Sequence, residues 1–361
     1  MQDLRLSEFN PEPALVTETH MPERPRWPVL DMHNHTQWAT QWHYDDIGAL
    51  VDSMDNAGVA AYVDLDGGTG ARLARHIERL REPYPDRFIV YTRLNWQWAV
   101  EESRDFGTLL AQQVRDSVAA GAEGLKVWKD VGLRIRDLNG KRLTVSDERL
   151  DPLWETVGEL GIPVTIHIAD PLAFFKPADT RNERIEELSN HPDWHFYGPE
   201  FPSFKQVLEE FETMLDRHPK VTFIGAHLAS SAENLRYLSN MLDSHSNLMI
   251  DISERIGELG RQPYSARDFL MKYSERVLFG LDISPARAID YRIYYRFLET
   301  QDEYFPYGDP SKDGPGRQGR WRIYGINLPD DVLARIYYQN ALKVIPRLQR
   351  SVDAMAAKLN G

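Results

Sequence analysis

A short apolar run, a polar or glycine-containing loop and an amphipathic stretch follow one another about eight times along this chain. The apolar runs are rich in Val and Ile and do not alternate strictly, which is typical of parallel strands covered on both faces. The predicted strands are Val29–His35, Val59–Leu65, Phe88–Leu94, Gly124–Trp128, Pro163–Ile168, Val221–His227, Leu248–Ile252 and Val277–Asp282.

The amphipathic stretches predict the intervening helices. Gly58, Gly121 and Gly161 follow helix ends, where a left-handed residue is common. The predicted helices are Asp46–Asn56, Ala71–Arg81, Phe106–Ala120, Asp147–Leu160, Phe204–Arg217, Ala232–Asp243 and Ala266–Tyr273.

Eight βα units in about 260 residues fit a (β/α)8 TIM barrel. The alternative is a doubly wound open sheet, which is expected to carry a glycine-rich nucleotide motif after an early strand. The Gly-Gly-Thr-Gly segment at 67–70 does not follow that motif and is interpreted as a turn. We predict an N-terminal extension over 1–27, the barrel over 28–327 and a helical C-terminal segment over 328–361 that packs on the barrel.

Two predicted connections are unusually long. One separates Ile168 from Phe204 and the other runs from Thr300 to Asn327, and both contain several aromatic residues. Long loops in compact domains are usually lids or binding loops, with surface padding or an oligomer contact as the alternative. We expect active-site loops here, and such loops also make a homodimer a mild expectation.

Composition restricts the function classes. The 42 Lys and Arg against 55 Asp and Glu give a net charge of −13, which disfavours nucleic acid or an anionic membrane as a large-area partner. The absence of cysteine excludes disulfides, thiolate nucleophiles and sulfur-bound metals. The stretch up to Trp27 lacks the apolar core of a secretory signal, and no apolar run has the length of a membrane span. We expect a cytoplasmic protein that acts on a small molecule.

Titratable residues stand at the carboxyl ends of four predicted strands, where the active site of a TIM barrel lies. The first strand ends in Asp-Met-His-Asn-His, and its His33 and His35 point the same way because side chains alternate along a strand. His167, His227 and Asp282 end the fifth, sixth and eighth strands. A catalytic divalent metal needs a few nitrogen and oxygen ligands and one open position. The predicted ligands are His33, His35, His167 and Asp282.

These motifs resemble the metal-dependent amidohydrolase superfamily, in the branch that includes aminocarboxymuconate-semialdehyde decarboxylase. The resemblance spans about Pro28 to Pro285. It implies that His167 and Asp282 are the ligands from strands 5 and 8, that the His-x-His pair is the first ligand pair, and that His227 acts in catalysis more than as a ligand. It implies one divalent ion, with zinc first and manganese second. Asp251 is interpreted as structural, because strand 7 supplies no ligand in the resembled family.

A bound metal activates water and polarises a carbonyl, but a proton acceptor is still needed. We assign His227 as general acid/base, and Asp282 as a ligand that shares in proton transfer. Lys126, among apolar residues of the fourth strand, is expected to bind an anionic substrate group. The alternative is a carboxylated lysine that bridges two metals, as in binuclear members of the superfamily. The other substrate-binding candidates are Trp128, Arg93, Trp38 and Arg255.

Two reactions suit this site. In the leading expectation, a metal-bound hydroxide attacks a carbonyl of an amide, a lactone or an activated carbon–carbon substrate. In the alternative, a nonoxidative decarboxylase protonates an aromatic or enoic carboxylic acid before carbon dioxide leaves. A decarboxylase needs cationic residues for the carboxylate, which Lys126, Arg93 and Arg255 can supply. A third interpretation is a barrel that has lost activity and only binds a ligand or partner.

Overall fold

Eight parallel strands form one sheet in the order β1 to β8. The structure is a computed structural model that describes residues 3–5, 8–9, 11–36, 47–101, 105–283, 286–308 and 318–361. Every residue of the strands is buried, as expected for strands covered on both faces. The strands are β1 Val29–Asn34, β2 Val59–Asp64, β3 Phe88–Thr92, β4 Gly124–Val127, β5 Val164–Ile166, β6 Phe223–Gly225, β7 Leu248–Asp251 and β8 Val277–Leu278.

Backbone hydrogen bonds between the first and last strand regions close the sheet into a barrel. The amide of Met32 donates to the carbonyl of Phe279 at 2.9 Å, and the amide of Asp282 donates to the carbonyl of His33 at 2.8 Å. All neighbouring strands pair in parallel. The predicted TIM barrel is confirmed, and the open sheet is excluded.

Helices occupy the connections between the strands. The longer ones are Ile47–Asn56, Gly70–Arg81, Phe106–Ala119, Asp151–Leu160, Phe204–Arg217, Leu235–Ser244, Pro263–Lys272 and Ala288–Glu299. Short helices are Gln97–Glu101, Ile185–Asn190 and Ile256–Leu259, whereas Asp130–Leu133 and Ala226–Ala229 are turns with non-helical dihedral angles. Gly58, Gly121 and Gly161 have φ angles of +72°, +104° and +65°, as their positions after helices predict. Within the described ranges, no helix combines the length and apolar character needed to cross a membrane.

The C-terminal segment covers the amino-terminal end of the barrel. The side-chain amide of Asn340 donates to the carbonyls of Ser274 and Val277, each at 2.7 Å. Arg347 donates to the carbonyl of Phe88 at the start of β3, at 3.1 Å. The helices of this segment are Asp330–Ala334, a π-helical turn at Arg335–Gln339, Asn340–Val344 and Gln349–Asn360.

Several strands are shorter than the sequence predicts. β5, β6 and β8 end before His167, His227 and Asp282, which the prediction places inside them. The φ angles of His227 and Asp282 are +57° and +53°, in a left-handed conformation that cannot continue a strand. All three residues therefore begin the loops just beyond the carboxyl end of the barrel.

The helix Ala288–Glu299 is absent from the sequence prediction. Nine of its residues are buried, including several tyrosines and the charged Asp290 and Arg296. Tyr291, Tyr294, Tyr295 and Leu298 are buried and recur at the i, i+3, i+4, i+7 spacing of a helix. The signal was therefore present in the sequence and was missed.

Candidate metal centre and substrate cavity

Three imidazoles converge on the carboxylate of Asp282 at the carboxyl end of the barrel. Nε2 of His33 lies 3.5 Å from Oδ2 of Asp282, and Nε2 of His227 lies 3.4 Å from the same oxygen. Nε2 of His35 is 3.2 Å from Oδ1. One ligand atom each of His33, His227 and Asp282 lies within 4.8 Å of the others, a spacing that can hold a metal ion.

His167 extends this cluster. Its ring centroid is 4.5 Å from that of His227, which lies 4.9 Å from that of His33. Nε2 of His167 is buried and lies 3.3 Å from Oδ1 of Asp170, but it makes no hydrogen bond to any described residue. The fold thus brings the four predicted ligands close together, but the compact group contains His227, predicted as general acid/base, and leaves out His35 and His167.

Each imidazole that faces Asp282 is held from behind through Nδ1. Nδ1 of His33 lies 2.8 Å from Oδ2 of Asp251. Nδ1 of His35 lies 2.9 Å from Oδ1 of Asp66. Nδ1 of His227 lies 2.9 Å from the carbonyl oxygen of Ser253. Carboxylates and carbonyls only accept hydrogen bonds, so Nδ1 carries the proton and Nε2 of a neutral ring presents a lone pair. Histidine ligands of metals are usually held in this way.

Burial and neighbouring charges set the protonation of the site. Burial lowers the pKa of His33, and it lowers the pKa of His167 to about 4. Burial also acts to lower the pKa of His35, but Asp66 and Asp282 outweigh it and raise that pKa to about 9. Burial acts to raise the pKa of Asp282, yet the nearby histidines hold it well below its usual value. The centre offers an ionised carboxylate and neutral imidazoles, and His35 must lose a proton before it binds a metal.

Lys126 and Arg93 occupy different positions around this centre. Nζ of Lys126 lies 3.1 Å from Nε2 of His33, and burial lowers the pKa of this lysine to about 8. The guanidinium of Arg93 bonds to Asp66 and lies 4.7 Å from the centroid of Trp128. Lys126 therefore reaches the centre directly, whereas Arg93 contacts the carboxylate that holds His35.

A cavity of about 340 Å³ adjoins the centre, a size that suits a small molecule. The long loop after β5 contributes Phe174, Arg184 and Trp194, and the second long loop contributes Gln318, as expected for active-site loops. Trp38 lies outside the described residues, and neither Arg93 nor Lys126 is among those that line the cavity. The remaining lining includes Trp128, Lys129, His167, His227, Arg255 and Asp282.

The cations of the cavity wall differ in their partners. Nζ of Lys129 is 2.5 Å from Oδ2 of Asp170, and Arg184 forms buried ion pairs. Arg255 is also buried, but its guanidinium donates to the backbone carbonyl of Glu254 at 2.7 Å and forms no ion pair with a described residue. Among the described residues, Arg255 is the wall cation without a direct ion pair, although its charge also acts on the carboxylates of Glu187, Glu233 and Glu258.

The carboxylates that hold the histidines were not recognised in the sequence. Asp66 follows β2 and Asp251 ends β7, whereas Asp170, three residues after His167, approaches that ring without a hydrogen bond. The structural interpretation of Asp251 is too narrow, because its carboxylate contacts His33 directly. Their shared position at strand ends, beside the histidines, was the available signal.

The sequence model of the amidohydrolase family matches residues 30–347. None of the curated proteins matches the chain. Among solved structures, 2,6-dihydroxybenzoate decarboxylase from Rhizobium aligns with a TM-score of 0.57 and 14% identity over 89% of this chain and 99% of its own. A dihydroxybenzoic acid decarboxylase from a Polaromonas species, with bound manganese and 2-nitroresorcinol, aligns with a TM-score of 0.51 and 15% identity over 84% of this chain and 86% of its own.

An uncharacterised TIM-barrel protein from Bordetella bronchiseptica aligns with a TM-score of 0.51 and 14% identity over 84% of this chain and 83% of its own. At such low sequence identities, these similarities concern the fold alone. The family match extends from β1 to the C-terminal helices and includes every residue of the centre. It confirms the resemblance seen in the strand-end motifs: the chain belongs to the amidohydrolase family.

Proposed function

We propose that this chain is a metal-dependent enzyme that removes the carboxyl group of a small aromatic or enoic acid without oxidation. The observation that carries the proposal is Arg255, a buried cation on the cavity wall that forms no ion pair with a described residue. The nearby carboxylates of Glu187 and Glu258 pair with Arg184 instead, and that of Glu233, on which Arg255 also acts, accepts from the amide of Leu172 at 3.0 Å and forms no direct ion pair with Arg255. A buried charge needs a partner, and a substrate carboxylate matches the fork of a guanidinium.

The donor set of the centre fits one divalent metal. Imidazole and carboxylate ligands suit zinc and manganese, and the buried Nε2 of His167 has no hydrogen bond to a described residue. We propose that His33, His35, His167 and Asp282 hold the ion. When bound, it would polarise a substrate oxygen and stabilise negative charge that develops there. The Polaromonas decarboxylase with bound manganese is consistent with either metal being used.

The aromatic wall of the cavity suits a planar substrate. The rings of Phe174 and Trp194 are stacked with centroids 6.3 Å apart, and the ring of His191 lies 4.0 Å from that of Trp194. Planar rings add favourable stacking to such a wall. Both decarboxylases of similar fold are named for dihydroxybenzoic acids, which are planar carboxylates of this kind.

His227 is proposed to move the proton. Its Nδ1 is held by the carbonyl of Ser253, so it gives or takes a proton at Nε2, which is 3.4 Å from Oδ2 of Asp282. Burial lowers its pKa well below the usual value, so the ring is neutral at neutral pH and its Nε2 carries no proton. In the overall reaction one proton replaces the carboxylate on the substrate carbon, and the carbon–carbon bond breaks to release carbon dioxide. Neither Nε2 of His227 nor the ionised Asp282 holds a proton, so that proton is drawn from the solvent; His227 takes it up at Nε2 and passes it to the substrate carbon.

A substrate panel tests the proposal. Protein loaded with zinc or with manganese is given hydroxybenzoic and enoic acids, and carbon dioxide release is measured before and after chelation. Lactones and N-acyl compounds are tested in parallel for hydrolysis. We expect chelator-sensitive carbon dioxide release. Turnover of lactones or amides alone would select the hydrolase, and no turnover at all would favour a barrel that only binds a ligand.

The variant Arg255→Met tests the carboxylate contact. Hydrogen bonds to a charged group contribute about 1.5–3 kcal/mol, so we expect KM for the acid to rise about 30-fold with unchanged metal content. Arg181→Met is the matched control, because the Arg181 side chain is 86% exposed and pairs only with Asp179 among the described residues. An unchanged KM in Arg255→Met would refute the carboxylate assignment.

A further inference from the structure

We infer that Asp251 and Ser253, at the end of β7, are positioning residues that hold His33 and His227 as one unit. The inference rests on the proposed function, because that function makes His33 a ligand and His227 the proton-transfer residue. The contacts themselves come from three different parts of the chain: β1, the turn after β6, and β7 with the residues that follow it. Among the described residues, Ser253 contacts both imidazoles at Nδ1, whereas Asp251 contacts Nδ1 of His33 and the backbone amide of His227.

The two oxygens of the Asp251 carboxylate serve different elements. Oδ2 accepts a hydrogen bond from Nδ1 of His33 at 2.8 Å. Oδ1 accepts one from the backbone amide of His227 at 2.9 Å and one from the amide of Ser253 at 3.1 Å. One buried carboxylate therefore fixes the ring of the ligand and the backbone of the proton-transfer residue.

The hydroxyl of Ser253 lies between the two imidazoles. Oγ is 3.1 Å from Nδ1 of His33 and 3.0 Å from Nδ1 of His227, and it donates to Oδ1 of Asp251 at 2.5 Å. A hydroxyl has one proton to donate and two lone pairs. With its proton on Asp251, Oγ is a second acceptor for each Nδ1 proton, shared with Oδ2 of Asp251 at His33 and with the Ser253 carbonyl at His227. Ser253 thereby keeps both Nδ1 atoms protonated and directs both Nε2 atoms toward Asp282.

The turn that carries His227 requires such a tether. The φ angles from His227 to Ser230 are +57°, +57°, +47° and +56°, and none of these residues is glycine. This left-handed conformation is unfavourable for every L-residue and persists only where the surroundings determine it. Asp251 bonds to the first residue of the turn, and the Ser230 hydroxyl bonds to the backbone of Ala169 at its end. Without Asp251, the first of these two anchors is lost.

Zn²⁺ binding to the full-length protein tests the inference through Asp251→Asn. Loss of a partner that orients a ligand lowers metal affinity about 10- to 100-fold, and we expect a loss in this range by competition with a chromophoric chelator. Asp216→Asn is the matched control. It also removes a carboxylate paired with a histidine, at 3.2 Å from His245. Its side chain is 73% exposed, and it lies in the last turn of the helix Phe204–Arg217, which leads to the start of β6. The control should bind Zn²⁺ as the wild type does.

Nitrogen-15 NMR of the histidine rings in zinc-loaded protein gives a readout that a merely structural role would not move. We expect protonated Nδ1 and unprotonated Nε2 for both His33 and His227 in the wild type, and altered Nδ1 signals of His33 in Asp251→Asn. Ser253→Ala should perturb the Nδ1 signals of both rings and lower Zn²⁺ affinity about fivefold, as expected for one lost hydrogen bond.

Wild-type Zn²⁺ affinity and wild-type ring signals in either variant would overturn the inference. Should Asp251→Asn not fold, Ser253→Ala decides the question, since it removes a single oxygen. The two proposals fail in different ways. Wild-type protein that releases no carbon dioxide would refute the proposed reaction, but it would leave the Zn²⁺ affinities and ring signals of the variants to be judged separately.

Discussion

Replacement of Gly280 by alanine tests how closely the end of β8 packs against the metal centre. A Cβ atom at this position would lie 2.9 Å from Cβ of His33 and 3.4 Å from Cβ of Ser253. Carbon atoms pack best from about 3.5 Å, so the first contact is short by about 3.5 − 2.9 = 0.6 Å. His33 cannot move away freely, because its carbonyl accepts the amide of Asp282 at 2.8 Å.

Two terms decide the expected stability of Gly280→Ala. Overpacking of a closely packed region costs about 1–3 kcal/mol. Alanine has fewer backbone conformations than glycine in the unfolded chain, which stabilises the folded protein by about 0.4–1 kcal/mol. We therefore expect the free energy of unfolding, measured by urea denaturation of the metal-free protein, to fall by about 1–2 kcal/mol. Displacement of a ligand should also weaken Zn²⁺ binding about tenfold or more.

Gly158→Ala is the matched control. Gly158 lies in the helix Asp151–Leu160, and a Cβ there would meet Cβ of Lys220 at an ordinary 3.4 Å. We expect a gain of about 0.5–1 kcal/mol and unchanged Zn²⁺ affinity. The reasoning is refuted if Gly280→Ala behaves like this control, with wild-type affinity for Zn²⁺ and no loss of stability.

Three further predictions concern the histidines. Burial acts to lower the pKa of His35, but Asp66 and Asp282 raise it to about 9, so Zn²⁺ must displace a proton from this ring. Zn²⁺ affinity, measured by competition with a chelator, should therefore fall about tenfold per pH unit from pH 8.5 to 6.5. An affinity that does not change with pH would contradict this. His35→Ala should lower metal content and the Tm of metal-loaded protein, because metal binds only the folded state; unchanged metal content would remove His35 from the ligand set. His227→Ala should retain Zn²⁺ in elemental analysis and lose turnover, whereas loss of the metal would make His227 a ligand.

The strand-end histidines could be predicted because local patterns mark them. Runs of Val and Ile identify buried strands, and in a TIM barrel the ends of those strands share one face. The partners of the histidines could not be predicted in this way. Asp251 is 218 residues from His33, and only closure of the barrel brings them together. Which strand-end carboxylate faces which imidazole depends on register and side-chain direction across the barrel.

The cationic candidates illustrate the same limit. Arg255 and Arg93 both follow strands, and the sequence assigns both to substrate binding. In the structure Arg255 lines the cavity, whereas Arg93 bonds to Asp66 and to the carbonyl of Leu65 at 2.8 Å. The left-handed turn at His227 likewise has no sequence signal, because glycine, the usual marker of positive φ, is absent from it.

The C-terminal cap of the barrel has a consequence for the order of events during protein synthesis. The closing strand β8 is short. Asn340 bonds to its first residue, Val277, and the amide of Phe279, just beyond its end, donates to the carbonyl of Ile336 at 3.0 Å. A ribosome therefore exposes His33 and His35 long before the segment that fixes Asp282 has been made. Nascent chains would meet cellular metal ions with an incomplete set of ligands. We therefore expect an ion to be taken up late, by a barrel whose chain already extends beyond residue 340.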